Sequence, residues 1–185
     1  MADDDFEVTP WDVQGTVDYQ RLIDKFGTEA ITDDLRQRIK DIAGDDNVYL
    51  RRNFVFSHRD LDDTLDDYDD GDDFFLYTGR APSGDMHIGH IVSFYLTKWL
   101  QDAFDINVYI QVPDDEKYWA KDDLSLDDID HYAETNIEQI AAVGFDPDKT
   151  FIFRNREYIK NMYDAAIKIS NEVNYSVASS VFGFN

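Results

Sequence analysis

The sequence predicts an α/β fold, in which a parallel sheet with crossover helices follows a mixed α+β segment. From residue 74 onward, three short apolar runs alternate with three long helical patterns. This alternation is typical of parallel strands joined by helices. The chain has 185 residues, of which 43% are hydrophobic, enough for a packed core. No apolar run approaches the roughly 18 residues that a membrane-spanning helix needs, and cysteine is absent.

Residues 1–73 are predicted to form the N-terminal segment. The elements expected there are, in order, a helix over 18–26, a helix from an N-cap at Thr32 through 42, a turn at 44–47, a strand or hairpin arm over 51–58, and a solvated helix over 60–73. The strand or hairpin arm is predicted because Phe54 and Phe56 alternate about Val55. The last helix is expected to face solvent because most of its residues are aspartate.

Residues 74–185 are predicted to form half of a Rossmann-type doubly wound sheet. Strands are expected over 74–77, 108–112 and 150–153, and helices over 88–104, 126–143 and 157–173. Ser125 is the expected N-cap of the second of these helices, with Asp128 at the capping-box position. Because a doubly wound domain has about twice as many strands, we expect the sequence to be a piece of a longer chain.

The segment His87-Ile88-Gly89-His90 lies where the first strand and its loop lead into a helix. Open α/β sheets bind nucleotides at this point, with phosphates on free N–H groups of the helix start. His87 and His90 can donate hydrogen bonds to phosphoryl oxygens, and Gly89 lets a ring or ribose approach the backbone. Arg80, in the preceding loop, can bind a phosphate through two hydrogen bonds. We predict catalytic roles for Arg80, His87 and His90, nucleotide binding by these three with Gly79 and Gly89, and no metal ligands.

Several further strings carry a resemblance to a known family. They include LRRNFVFSHRDLD (50–62), YTGRAPSGDMHIGH (77–90), TKWLQDAF (97–104), YIQVPDDEKYWAKDDLSLDD (109–128), NIEQIAAVGFDPDKTFIF (136–153) and VFGF (181–184), together with WDVQGTVDYQRLIDKFGT (11–28). The sequence resembles class I aminoacyl-tRNA synthetases and, within them, the tryptophanyl-tRNA synthetases of archaeal and eukaryotic type. By this resemblance, 74–185 is the first half of the class I catalytic domain, truncated before the second signature loop and the anticodon-binding domain.

The resemblance implies functions for individual residues. Tyr77 and Gln111 are expected to lie against the amino acid, where either oxygen can accept the indole N–H, and Glu116 is expected to bind the substrate ammonium. A core position for Tyr77 and a surface position for Glu116 stay open as plainer alternatives. The family Gln that helps to hold the amino acid falls on Val177, so either another residue supplies that contact or the substrate binds differently.

The implied activity is the ATP-dependent activation of tryptophan and its transfer to tRNA(Trp). Mg²⁺ is expected to accompany ATP, and the complete protein is expected to be a cytoplasmic homodimer with no membrane partner. Three alternatives stay open: a tyrosyl-tRNA synthetase, another H-x-G-H adenylyltransferase, and an inactive truncated fragment that acts only as a binding module.

Charge by itself argues against a nucleic-acid partner. Lys and Arg total 17 and Asp and Glu total 40, so the net charge is −23. A second explanation is solubility in concentrated salt, where the screening length is about 3 Å at 1 M, and we therefore expect a halophilic, haloarchaeal protein. Two clusters of basic residues, which we call basic islands, occur in this acidic sequence. Each island can contact tRNA phosphates or ATP, or can balance the charge of neighbouring aspartates. The islands are Arg51, Arg52 and Arg59, and Lys149, Arg154, Arg156 and Lys160.

Overall fold

The computed structural model describes residues 7–8, 13–14, 19–120 and 123–182. Parts of the strings at 11–28, 109–128 and 181–184 therefore lie outside the described residues. Two compact units divide the chain. One unit is Ala30–Ile159, and the other comprises the described residues of Met1–Glu29 and Lys160–Asn185. The predicted division at 73–74 stays a prediction.

Both units contain strands and helices. The strands are β1 (Glu7–Val8), β2 (Val13–Gln14), β3 (Glu29–Ala30), β4 (Ser57–His58), β5 (Leu76–Gly79), β6 (Val108–Val112) and β7 (Thr150–Arg154). The helices are α1 (Tyr19–Phe26), α2 (Asp33–Ala43), α3 (Val48–Arg51), α4 (Leu61–Asp69), α5 (Ile88–Phe104), α6 (Glu116–Ala120), α7 (Leu126–Ala141), α8 (Asn155–Glu172) and α9 (Tyr175–Phe182). None of the helices in the described residues is long and apolar enough to cross a membrane.

A parallel sheet in the order β5-β6-β7 confirms the predicted α/β fold. The connection from β5 to β6 contains α5, and the connection from β6 to β7 contains α7. Alternate residues of the central strand β6 are fully buried (Val108, Ile110 and Val112). Val108 and Ile110 form one core with Phe94 of α5 and Ile140 of α7, so these two helices cover the same face of the sheet.

A second core packs residues of the predicted N-terminal segment against α5. Its buried members are Leu35, Ile39, Leu50, Leu65, Phe104 and Ile106. Leu65 of α4 is 1% exposed, so the aspartate-rich helix is confirmed in its position but has a buried side. An apolar cavity of about 130 Å³ remains in this core.

The predicted strand or hairpin arm over 51–58 is largely wrong. Asn47 accepts a hydrogen bond from the Tyr49 N–H at 2.8 Å and thereby starts the short helix α3. A turn follows through Asn53, whose φ is 52°, and Phe54 is 63% exposed. The alternation of Phe54 and Phe56 is therefore too short to form a strand, and only β4 is extended.

Several other boundaries agree closely with the sequence. Helix α5 and strand β6 have the predicted bounds, and β5 begins two residues later than predicted. Ser125 and Asp128 make both hydrogen bonds of the predicted capping box. The apolar pattern of 88–104 favours a buried helix, but α5 is only partly buried, since Ile88 is 79% exposed and Tyr95 is 50% exposed.

Candidate active site

Tyr77 and Gln111 meet toward the carboxyl end of the parallel sheet. In the β5–β6 register, Gly79 lies opposite Gln111, and because side chains alternate, Tyr77, Gly79 and Gln111 share one face. The Tyr77 hydroxyl donates a hydrogen bond to Gln111 Oε1. Tyr77 is 60% exposed, which excludes a core position. The structure thus brings together the two residues predicted to contact the amino-acid side chain.

Gly79 is required by the close approach of β5 and β6. A Cβ at this position would lie 2.7 Å from the backbone oxygen of Gln111, closer than any normal contact. The next residue, Arg80, donates its backbone N–H to the same oxygen at 3.0 Å. The structure therefore gives Gly79 a role in the packing of β5 against β6. Its predicted role in nucleotide binding stays a prediction.

His87 and His90 form a capping box at the start of α5. His87 Nδ1 accepts the Gly89 N–H and His90 Nδ1 accepts the His87 N–H, each at 3.2 Å. The His90 N–H donates to the His87 carbonyl at 2.9 Å, so the N–H groups of residues 87, 89 and 90 are paired and not free for phosphate, contrary to the expectation from the sequence. In a neutral ring whose Nδ1 accepts, the proton is on Nε2. Both rings therefore offer Nε2–H donors.

The surroundings of His90 favour its neutral form. Burial lowers the pKa of His90, and the neighbouring Arg80 guanidinium and His87 imidazole lower that pKa further. The two imidazole rings lie with their centroids 3.8 Å apart. The two rings therefore lie together, and Arg80 is near enough to lower the pKa of His90, while the predicted catalytic roles of the three residues stay predictions.

Arg80 carries an unpaired donor. Among the buried side-chain nitrogen and oxygen atoms of the described residues, Arg80 Nε is one of three without a hydrogen-bond partner. Burial also lowers the pKa of this guanidinium. A buried cationic donor without a partner is costly, and an anion at this position would relieve that cost.

Gly89 faces the cap and leaves little room for a side chain. A Cβ at Gly89 would lie 3.1 Å from Cε1 and Nδ1 of the His87 ring. The structure thus gives this glycine a second reason, since a larger residue would press on the capping imidazole. Its predicted role, close approach of a ring or ribose, stays a prediction.

Glu116 begins helix α6 and is exposed. Its carboxylate contacts Lys117 Nζ at 2.8 Å, and its backbone N–H donates to Asp115 Oδ1 at 2.9 Å. Its predicted contact with the substrate ammonium stays a prediction. Val177, at the position of the family Gln, is 47% exposed on α9 in the other unit.

Sequence reasoning missed a hydrogen-bond relay behind Gln111. Gln111 Nε2 donates to Asn155 Oδ1 at 2.7 Å, and Asn155 Nδ2 donates to Asp115 Oδ1 at 2.9 Å. The signal available in the sequence was that Asp115 and Asn155 each follow a predicted strand of one parallel sheet. The carboxyl ends of such strands lie at one edge, where ligands bind.

In the basic island of Lys149, Arg154, Arg156 and Lys160, the first three side chains contact acids and Lys160 is exposed. Arg154 contacts the fully buried carboxylate of Asp114 through Nε at 3.0 Å and also contacts Asp130. Arg156 contacts Asp130 at 2.8 Å, and Lys149 contacts Asp105 at 2.5 Å. Burial alone would lower the pKa of Arg154, but hydrogen bonds to Asp130 and Asp114 raise it overall. These contacts favour the interpretation that this island balances neighbouring charges.

The other island remains at the surface. Arg51, Arg52 and Arg59 are all exposed. Arg51 donates from Nη1 to the backbone oxygen of Asp46 at 3.3 Å. This island therefore keeps its predicted possibility of contacting an anionic partner.

A candidate anion site and a candidate site for the side chain of an amino acid therefore lie at the same edge of the sheet. Residues 69–178 match the family of class I tRNA synthetases (W and Y), and the chain belongs to this family. The predicted resemblance to its tryptophanyl members is confirmed both by curated relatives and by solved structures.

Among curated relatives, the tryptophan–tRNA ligase of Pyrococcus furiosus is 54% identical over 183 residues, which are 98% of this chain and 47% of that protein. The tryptophan–tRNA ligase of Thermococcus kodakarensis is 55% identical with the same coverage. The chain thus spans about half the length of the curated relatives it matches.

Solved structures give the same result. The tryptophanyl-tRNA synthetase of Plasmodium falciparum superposes with a TM-score of 0.85 at 39% identity, covering 91% of this chain and 48% of that one. The tryptophanyl-tRNA synthetase of Encephalitozoon cuniculi bound to tryptophan gives 0.85 at 41% identity, covering 91% and 50%.

Proposed function

We propose that the full-length protein activates tryptophan with ATP and transfers it to tRNA(Trp). In the first step the tryptophan carboxylate attacks the α-phosphorus of ATP, giving tryptophanyl-adenylate and pyrophosphate. In the second, a hydroxyl of the tRNA terminal ribose takes the acyl group and AMP leaves. The tryptophan–tRNA ligases similar to this chain support the proposal.

One observation carries this proposal: a candidate anion site and a pair of hydrogen-bonding oxygens occur on adjacent segments of one sheet edge. The Tyr77–Gln111 pair offers oxygen atoms to an indole N–H, and leaving that N–H unpaired in an apolar pocket costs about 1–3 kcal/mol. Arg80 Nε offers an unpaired cationic donor to a phosphate. Tryptophan and ATP need these two kinds of contact together.

The residues of the chain fit ATP through their donors. We place phosphoryl oxygens on Arg80 Nε and on the Nε2–H groups of His87 and His90. Donors that are already oriented stabilise charge as it develops in the transition state, and neutral His90 can do so without exchanging a proton. ATP supplies the reactive phosphorus, and we expect Mg²⁺ to accompany its phosphates, not to occupy a cage of protein ligands.

We further propose the remaining roles expected from the sequence. Glu116 binds the substrate ammonium, the complete protein is a cytoplasmic homodimer, and the exposed island of Arg51, Arg52 and Arg59 contacts tRNA. Residues 1–73 and 74–185 serve as the N-terminal segment and the first half of the catalytic domain.

High-salt adaptation rests on the net charge of −23 alone. One similar structure is from the hyperthermophilic archaeon Aeropyrum pernix K1, which gives no support to a halophilic origin. Adaptation to high salt predicts that activity and thermal stability rise up to molar KCl, because salt screens the repulsion among aspartates. A monotonic decline from low salt would exclude it.

Amino-acid-dependent ATP–pyrophosphate exchange by the full-length protein tests the activity. We expect exchange with tryptophan, reduced about 10²–10³-fold by His90→Ala, as for other lost transition-state donors. His131→Ala, at an exposed histidine of α7, is the matched control and keeps the wild-type rate. Exchange that only tyrosine supports would establish the tyrosyl alternative. If no amino acid supports exchange, the remaining alternative is an inactive binding module.

A further inference from the structure

The amide of Gln111 is held from behind by two polar side chains. Its Nε2 donates to Asn155 Oδ1 at 2.7 Å, and Asn155 Nδ2 donates to Asp115 Oδ1 at 2.9 Å. The same Asp115 oxygen accepts the backbone N–H of Glu116 at 2.9 Å. We call Gln111, Asn155 and Asp115 the relay. Its three members come from the end of β6, the start of α8 and the loop before α6.

The chemistry of Asp115 gives the relay a direction. An ionised carboxylate only accepts hydrogen bonds, so Asn155 must present its NH₂ group to Asp115. The Asn155 oxygen then faces Gln111, which must in turn present its own NH₂ group. As a result Gln111 Oε1 is turned toward Tyr77, whose hydroxyl donates to it.

We propose that Asn155 and Asp115 are positioning residues that fix Gln111 Oε1 as an acceptor for a donor group on the ring of the amino-acid substrate. This inference rests on the proposed function, and it adds what selects the substrate. An oxygen accepts more than one hydrogen bond, so Gln111 Oε1 can bind a ring N–H in addition to the Tyr77 hydroxyl. Without the relay the amide can turn over, and its NH₂ group would then face the N–H of the substrate.

The relay also connects the two ends of the candidate amino-acid site. One end is the Tyr77–Gln111 pair, and the other is the start of α6, where Asp115 holds the backbone of Glu116. Breaking the relay is therefore expected to weaken binding of the amino acid while leaving ATP binding nearly unchanged. The hydrogen bonds of the two histidine rings stay within the cap of α5, apart from the relay side chains, and this separation gives the test a selective readout.

The test compares two substrates in ATP–pyrophosphate exchange by the full-length protein. The substrates are tryptophan and 3-(benzothiophen-3-yl)alanine, in which sulfur replaces the ring N–H. We expect the wild type to prefer tryptophan in kcat/KM by about tenfold or more, the cost of an unpaired buried polar group. In Asn155→Leu this ratio falls toward one, while the KM for ATP changes less than about twofold.

Two further variants distinguish the donor and acceptor pattern of the relay from a general structural effect of substitution. In the double variant Asp115→Asn with Asn155→Asp, the new amide at position 115 can donate to the new carboxylate at position 155. Gln111 still faces a group that only accepts, so the substrate ratio stays within about twofold of wild type. Asn171→Leu, at an exposed asparagine of α8, is the matched control and leaves the ratio unchanged.

The outcomes distinguish this inference from the proposed function. A general structural defect would lower kcat/KM for both substrates, so an unchanged ratio in Asn155→Leu overturns the relay whatever the rate. If the wild type uses tyrosine only, the proposed function is wrong, and the relay is judged by the same ratio for tyrosine over phenylalanine. If the wild type activates no amino acid, both proposals are overturned.

Discussion

Asp114 is predicted to contribute more to stability than any surface acid that forms an ion pair. Its carboxylate is fully buried, and it accepts hydrogen bonds from Arg154 Nε at 3.0 Å and from the Arg156 backbone N–H at 2.9 Å. The substitution Asp114→Asn preserves the shape and the acceptor for Arg156. It replaces the second oxygen by an NH₂ group that faces the donor of Arg154.

The magnitude follows from these contacts. One charge-assisted hydrogen bond is lost, which is worth about 1.5–3 kcal/mol, and a buried donor is left facing another donor. Arg154 keeps Asp130 and Glu157, so it is not left without a counter-charge, and the loss stays below the roughly 3–5 kcal/mol of a fully broken buried pair. We expect the free energy of unfolding to fall by about 2–4 kcal/mol.

Asp105→Asn is the matched control. Asp105 pairs with Lys149 Nζ at 2.5 Å, but its side chain is 86% exposed, so the pair contributes about 0–1 kcal/mol. Its φ is 54°, a left-handed conformation that asparagine adopts readily, so the substitution adds little backbone strain.

Urea-induced unfolding, followed by circular dichroism, measures both variants of the full-length protein. In about 0.2 M KCl we expect a large fall in the midpoint for Asp114→Asn and a small one for Asp105→Asn, with unchanged slopes. In about 2 M KCl the control difference disappears because exposed charges are screened, while the buried difference persists. Equal effects of the two substitutions, or loss of the Asp114 effect in high salt, would refute the argument from burial.

Three further predictions concern single sites. Gly79→Ala places a Cβ 2.7 Å from the Gln111 backbone oxygen, so we expect a lower thermal midpoint and slower exchange; wild-type values for both would contradict the close approach. Arg80→Met removes a cation that lowers the pKa of His90, so an NMR titration is expected to show that this pKa rises toward its ordinary value. The rise is expected to be incomplete because burial still opposes protonation of His90, and an unchanged titration would exclude the coupling. Val55→Leu adds a methylene to the cavity of about 130 Å³ and is expected to raise the free energy of unfolding by about 0.5–1 kcal/mol in urea, whereas a loss would mean that the cavity cannot take it.

Local signals predict most of the fold. Helix α5 and strand β6 are predicted with their observed bounds because a long apolar helical pattern and a short apolar strand lie on either side of a turn. The error at 51–58 arises where a local cap competes with alternation. Asn47 starts a helical turn there, and the positive φ of Asn53 directs the chain out of it.

The candidate site is predicted only in part because its hydrogen bonds join distant positions. Tyr77 and Gln111 are identified from motifs, but Asn155 carries no motif and reaches Gln111 only through the register of β6 and β7. The paired N–H groups at the start of α5 are also missed. Nothing in the sequence shows that the two histidines cap each other's backbone.

The distribution of paired charges separates the cation of the proposed phosphate site from another partly buried cation of this acidic protein. Around 149–156 the cations are held by carboxylates, and Arg154 is bound to Asp114 and Asp130. Arg80 differs, because its Nε is buried without a hydrogen-bond partner and its pKa is lowered by burial. Because Arg80 Nε has no hydrogen-bond partner among the described residues, we expect it to attract an anion even in a protein with a net charge of −23. We expect a bound phosphate to offset the energetic cost of burying Arg80, and occupancy of the site would then stabilise this loop.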